Sequence, residues 1–249
     1  LEFIIKTIRE QESKSMYDKT LTETRLNLRK EGKITINFLG FVDKIKYLED
    51  NDGKYLVAII DYKTGYVPTT LDNINYGLHL QLPVYIYLTK RGLHKDIKIT
   101  GFYLQKILNG KTVDSDSFEE DSKKALKLDG YSIDSEEELI KFDRTYTKSD
   151  VIKGMATTSK GFAHYAKLFN DSDIEKIDRI VDERINEVVE AIWKGDFPIN
   201  PKRVKGELIG CEFCKYKEIC YRREEDIVDL EYKTREDILG DDLNAKVDE

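Results

Sequence analysis

No run of apolar residues in the 249-residue chain approaches the roughly 20 that a membrane-spanning helix needs, and the N-terminus lacks the basic-then-apolar layout of a signal peptide. A cytoplasmic setting, with no membrane partner, is the expectation. Histidine is scarce: His79, His94 and His164 lie far apart and none is spaced as a metal ligand, so each is read as structural or superficial. A basic surplus is missing as well. The net charge of −7 argues against an indiscriminate nucleic-acid binder, which needs a cationic surface. What is present is 40% apolar and 10% aromatic content, enough for a packed core, and a chain long enough for one large domain or two small ones.

The chain opens at Leu1 in a helical pattern (Leu1, Ile4, Ile5, Ile8), so a truncated first helix and missing upstream sequence are expected. Thr20 to Leu28 and Lys33 to Leu48 read as a hairpin joined through Glu31-Gly32. After a turn at Asn51-Asp52-Gly53, Tyr55-Leu56-Val57-Ala58-Ile59-Ile60 is apolar without alternation, as in a central strand buried on both faces. From Asn73 to Lys90 the spacing is helical, with a kink expected at Pro83, and Ile99 to Ile107 returns to strand. These elements make a mixed α/β sheet flanked by helices, placed in residues 1–108. Residues 109–171 read as an insertion of loops and edge strands. Residues 172–226 hold a helix opened by a capping box at Ser172-Asp173-Ile174-Glu175, with Ile177, Val181, Ile185, Val188 and Ile192 inward, and then a cysteine cluster. Residues 227–249 read as an acidic tail serving solubility or disordered.

Chemistry concentrates in the second and third strands. Asp43 lies nine residues before Asp52 and Asp61 nine after it, so a hairpin closed at Asn51-Asp52-Gly53 sets the two aspartates opposite each other. Two carboxylates so close repel unless a cation lies between them, and hard oxygen ligands suit Mg²⁺ or Mn²⁺. Lys63 shares a strand face with Asp61 and can reach a bound water or a phosphate oxygen. Such a set suits phosphodiester hydrolysis. The bland reading of Asp-x-Lys is a solvated strand end, but here it follows directly on a buried apolar run, where unpaired charge is costly.

Gly40-Phe41-Val42-Asp43, Ile59-Ile60-Asp61-Tyr62-Lys63-Thr64-Gly65 and Gln81-Leu82-Pro83-Val84-Tyr85 occur in that order. In this they resemble the nuclease motifs of the RecB and AddB families of the PD-(D/E)XK superfamily. The resemblance implies a restriction-endonuclease-like core and a metal-dependent DNA exonuclease belonging to an AddB-like helicase-nuclease subunit in break repair and recombination. It implies metal ligation by Asp43, Asp61 and the Tyr62 backbone carbonyl, a catalytic Lys63, and Gln81 and Tyr85 as the following motif on one helix face. DNA and an AddA-like subunit would be the partners. A standalone RecB-like or CRISPR-associated exonuclease, and a non-catalytic binding module on the same fold, remain the alternatives.

All three cysteines fall within Cys211 to Cys220, and in a cytosolic protein such a cluster is more often a metal site than a disulfide. Cys211, Cys214 and Cys220 resemble the AddB-type cluster that binds a [4Fe-4S] centre with a fourth cysteine far upstream, and on that reading Cys214→Ser would cost stability. The resemblance also places an active-site acid or histidine on an upstream helix. Around the cysteines, Lys202, Arg203, Lys205, Lys215 and Lys217 form a local basic patch suited to DNA backbone contacts, with a solvated charged loop as the plainer reading.

Overall fold

Alternating burial along residues 19–30 and 36–49 gives two long antiparallel strands, β1 (Lys19–Lys30) and β2 (Ile36–Glu49), preceded by helix α1 (Glu2–Glu12). The computed structural model describes residues 2–240 apart from 33, 66–68, 94, 108–117 and 212–213. His94, the start of the expected insertion and the end of the acidic tail therefore lie outside the described residues. β3 (Tyr55–Lys63) pairs antiparallel with β2 and is buried from Leu56 to Asp61, as its unbroken apolar run requires. Helix α2 (Gln81–Gly92) carries the crossover to β4 (Ile97–Lys106), which lies parallel to β3.

The helical pattern from Asn73 does not make one kinked helix. A short 3-10 turn at Ile74–Tyr76 is cut off by left-handed backbone at Gly77 (φ 84°) and His79 (φ 54°), and α2 starts afresh at Gln81. Pro83 sits in the first turn of α2, where its missing N–H costs no intrahelical bond.

Helix α3 (Phe118–Ala125) leads to β5 (Asp129–Ile133), antiparallel to β4. After α4 (Glu136–Phe142) and a small hairpin, β6 (Thr157–Thr158) with β7 (Gly161–Phe162), strand β8 (Leu168–Phe169) joins parallel to β5. The main sheet thus has the order β1-β2-β3-β4-β5-β8, and residues 129–169 supply two of its strands. Gly130 permits this pairing, since a Cβ there would come within 2.1 Å of the Phe102 carbonyl oxygen.

Two apolar layers sandwich the sheet. Val57 and Ile59 pack with Leu82, Ile86, Leu88, Ile174 and Ile177 on the side of α2 and α5 (Asp171–Lys194). Leu56, Ala58 and Ile60 pack with Leu139, Phe142 and Ile152 on the other. Each such side chain contributes roughly 1.5–3 kcal/mol by leaving water. Helix α5 is capped by Asn170 with Asp173, not from Ser172: the Asn170 side chain accepts from the Asp173 N–H and the Asp173 carboxylate from the Asn170 N–H. Its apolar stripe outruns the surface it packs on. Ile177 and Val181 are buried, whereas Val188 and Ile192, expected inward, are exposed.

Beyond α5 a three-stranded sheet forms from β9 (Lys202–Val204), β10 (Glu207–Leu208) and β11 (Val228–Leu230). Residues 232–239, ending in α6 (Arg235–Leu239), then strap back over the core. Tyr232 bonds Asp72, Lys233 and Asn73 exchange backbone and side-chain hydrogen bonds, and buried Arg235 pairs with buried Asp173 at 2.7 Å. Among the described residues no helix is long and apolar enough to cross a membrane.

Candidate functional site

The paired register Lys44↔Ile60 and Ile45↔Ile59, taken one step further, sets Asp43 against Asp61. The ladder stops just short of that step. Instead Asp43 turns its own carboxylate to the neighbouring strand, and Oδ2 accepts from the Tyr62 backbone N–H at 2.9 Å. Asp61 continues the row of Val57 and Ile59 and so faces α2; it is 1% exposed.

Gln81, at the first turn of α2, ties the site together. Its Nε2 donates to Asp61 Oδ1 at 2.8 Å and to the Tyr85 hydroxyl at 3.2 Å, while its Oε1 accepts from Lys63 Nζ at 2.6 Å. Lys63 Nζ also lies 2.5 Å from Asp61 Oδ2, so the buried carboxylate is held through one oxygen by Gln81 and through the other by the Lys63 ammonium. Gly40 lets α2 approach this closely: a Cβ there would lie 2.4 Å from Leu88 Cδ1. The five side chains singled out in sequence, Asp43, Asp61, Lys63, Gln81 and Tyr85, are brought together by one strand pair and one helix start.

Burial raises the pKa of Asp61, the Lys63 ammonium opposes the rise, and the Asp43 charge adds to it. Burial also raises that of Tyr85, helped by the charges of Asp61 and Asp43, although its hydrogen bond with Gln81 opposes the shift. The cluster has two carboxylates to one ammonium. A buried carboxylate beside a second carboxylate, with one ammonium to two negative charges, is a donor set that a hard divalent cation fits. Among the described residues no group of three or more His, Cys, Asp or Glu side chains could hold a metal. Any ion here therefore relies on two carboxylates supplemented by backbone or water oxygens.

The cysteine cluster does not form, which corrects the expectation of a [4Fe-4S] site. Cys211, Cys214 and Cys220 are all free, Cys214 is exposed, and among the described residues no group of three or more His, Cys, Asp or Glu side chains could hold a metal. The physical reason is local. Successive turns, with Cys214 N–H bonding Cys211 O and Lys217 N–H bonding Cys214 O, carry the cysteines along a mostly exposed segment on no rigid element. The expected basic patch is also partly spent: Arg203 bonds Asp229 at 2.6 and 2.8 Å and Glu224 at 2.6 Å, and Lys205 sits 3.3 Å over the Tyr232 ring. Lys202 lies on β9, and Lys215 and Lys217 are exposed in the turns.

Sequence reading missed a second charged cluster on the opposite face of the same strands. Lys44 and Lys46, with side chains 8% and 3% exposed, both contact Glu12 at the end of α1, Lys44 at 2.7 Å. The Lys44 ammonium also lies 6.0 Å over the Tyr62 ring. The signal was available: two lysines in alternation, bracketing Ile45 and followed by Tyr47 and Leu48 in a strand, need a buried anion.

Residues 1–221 match the PD-(D/E)XK nuclease superfamily. Among curated proteins the chain is similar to the ATP-dependent helicase/deoxyribonuclease B subunit of Carboxydothermus hydrogenoformans, 26% identical over 75% of this chain and 18% of that protein. It is similar also to the corresponding proteins of Alkaliphilus oremlandii (26%, covering 84% and 19%) and of Clostridium novyi (27%, covering 74% and 17%). The chain spans less than a fifth of these relatives. With the match covering most of its length, the chain belongs to the PD-(D/E)XK nuclease superfamily.

Proposed function

We propose that this chain is a metal-dependent deoxyribonuclease domain that hydrolyses phosphodiester bonds, exonucleolytically, within a protein of the AddB-like helicase/deoxyribonuclease kind. The observation that carries the reading is the Asp43–Asp61 pair with Lys63 and Gln81 closed over it. Asp43, Asp61 and the Tyr62 carbonyl would hold Mg²⁺ or Mn²⁺, which when bound polarises the phosphoryl group and lowers the pKa of a water. Lys63 orients the attacking water and offsets charge that develops on the phosphoryl oxygens. Gln81 fixes the lysine and Asp61 at once, so that neither must reorganise during reaction, and Tyr85 buttresses Gln81. Lys202, Lys205, Lys215 and Lys217 supply backbone contacts. The companion helicase-nuclease subunit of such complexes is the partner, and the setting is processing of DNA ends in repair and recombination.

The test is cleavage of labelled single-stranded and double-stranded DNA with Mg²⁺ or Mn²⁺, beside Asp61→Ala, first on this chain and then on the full-length protein. Metal-dependent cutting that vanishes in the variant supports the reading. Metal-independent cutting, or cutting that survives Asp61→Ala, overturns it.

A further inference from the structure

The β1–β2 arm continues past the site and has a face that no helix covers. Both strands change which residues they turn inward at the bend where Glu23 has φ 46° and stands opposite Asp43. Beyond the bend Leu26, Leu28, Phe38 and Val42 pack toward α2. The other face presents Arg25, Asn27 and Arg29 on β1 and Asn37, Leu39 and Phe41 on β2, all exposed. They oppose one another in register, Arg25 to Phe41, Asn27 to Leu39 and Arg29 to Asn37. Phe41 is 53% and Leu39 46% exposed, large apolar surfaces left in water.

The composition of this face decides its occupant. In a chain of net charge −7 it carries two arginines, two amides and two apolar side chains, and no carboxylate. The nearest anions mark its limits: Glu31 at the tip, 3.2 Å from Arg29, and exposed Glu23 at the bend. An exposed aromatic ring with one guanidinium opposite it, and two amides and a second guanidinium further along the arm, matches a strand of unpaired nucleotides, whose bases stack on aromatic faces while phosphates meet the cations. A duplex, with its bases stacked inside, has no use for the Phe41 ring.

We propose that the outer face of the β1–β2 arm is a platform for single-stranded nucleic acid, with Phe41 stacking on a base and Arg25 and Arg29 contacting phosphates. It rests on the nuclease reading for the class of its ligand, an unpaired strand of the nucleic acid that such a site would cut.

Fluorescence anisotropy of a labelled oligothymidylate of about 16 nucleotides, without divalent metal so that nothing is cut, tests it. Phe41→Ala is expected to weaken binding about tenfold, with Phe41→Trp restoring it. Arg25→Ala/Arg29→Ala is expected to reduce the slope of log affinity against log salt by about 1.4. Unchanged melting temperatures exclude unfolding as the cause. Affinity and salt slope that match the parent in both variants overturn the platform, as does a parent chain that does not bind. A Phe41→Ala chain that binds oligonucleotide normally but loses self-association identifies a protein interface instead and also overturns it. Asp61→Ala separates the two readings: if it binds like the parent and the full-length protein still cuts DNA with this substitution, the nuclease reading fails while the platform stands.

Discussion

The two faces of the β2–β3 pair carry charge clusters of opposite balance. Toward α2, Asp61 pairs with the Lys63 ammonium and feels the charge of a second carboxylate, Asp43; toward α1, Lys44 and Lys46 share one carboxylate, that of Glu12. The difference lies in how each surplus is handled. On the α1 side the lysines are sealed, their excess charge partly offset by the Tyr62 ring, and the cluster has the character of a structural clamp. On the α2 side two carboxylates meet the single ammonium of Lys63, at the rim where Gln81 is exposed. Surplus negative charge held open in this way is suited to a cation that comes and goes.

That contrast can be broken from either side. Asp61→Ala and Lys63→Ala should each lower DNA cleavage by about a hundredfold or more while leaving the far-UV circular dichroism unchanged. Glu12→Ala should do the reverse, destabilising the fold by about 3 kcal/mol, because two buried lysines lose their shared partner. Denaturant unfolding reads that loss, and a stable Glu12→Ala chain would refute the clamp. Burial pushes the Glu12 pKa up, but its bonds to Lys44 and Lys46 outweigh this and hold it below its ordinary 4.5. A depressed carboxylate stabilises above its unfolded pKa, so the advantage over Glu12→Gln should be full at neutral pH. It should fade as pH falls below about 4.5. Smaller again, Arg235→Ala should cost about 2–3 kcal/mol by stranding buried Asp173, read as a lowered melting temperature. Cys214→Ser, an exposed thiol in a turn, should change stability by no more than about 0.5 kcal/mol.

The same contrast explains what was legible in the sequence. The aspartate pair could be placed by counting because a strand fixes position every two residues and a tight turn fixes register; Lys44↔Ile60 followed from where Asn51-Asp52-Gly53 closes. Three cysteines within ten residues looked as tight, yet they lie in turns, where spacing along the chain fixes no distance. The break before Gln81 was missed because helical spacing continues across Gly77 and His79, and left-handed backbone at a histidine has no strong sequence mark. The α5 stripe misled in another way. Periodicity says which side chains share a face, not how far the partner surface extends, and Val188 and Ile192 lie beyond it. Asp129 and the strand it opens were read as insertion because their partners, Lys153 and Lys167, come late in the chain.

The strap formed by residues 232–239 has a consequence for the order in which the protein is made. It bonds Asp72 and Asn73 across 160 or more residues, and that loop leads through the short 3-10 turn to Gln81. On a ribosome, the residues that pin this loop emerge long after the strand bearing Asp61. Until residues 232–239 have been synthesised, the loop at Asp72 and Asn73 lacks these bonds. The fold thereby makes the loop ahead of α2 depend on chain made some 160 residues later, so its last hydrogen bonds can form only after the strands bearing Asp43 and Asp61 have left the ribosome.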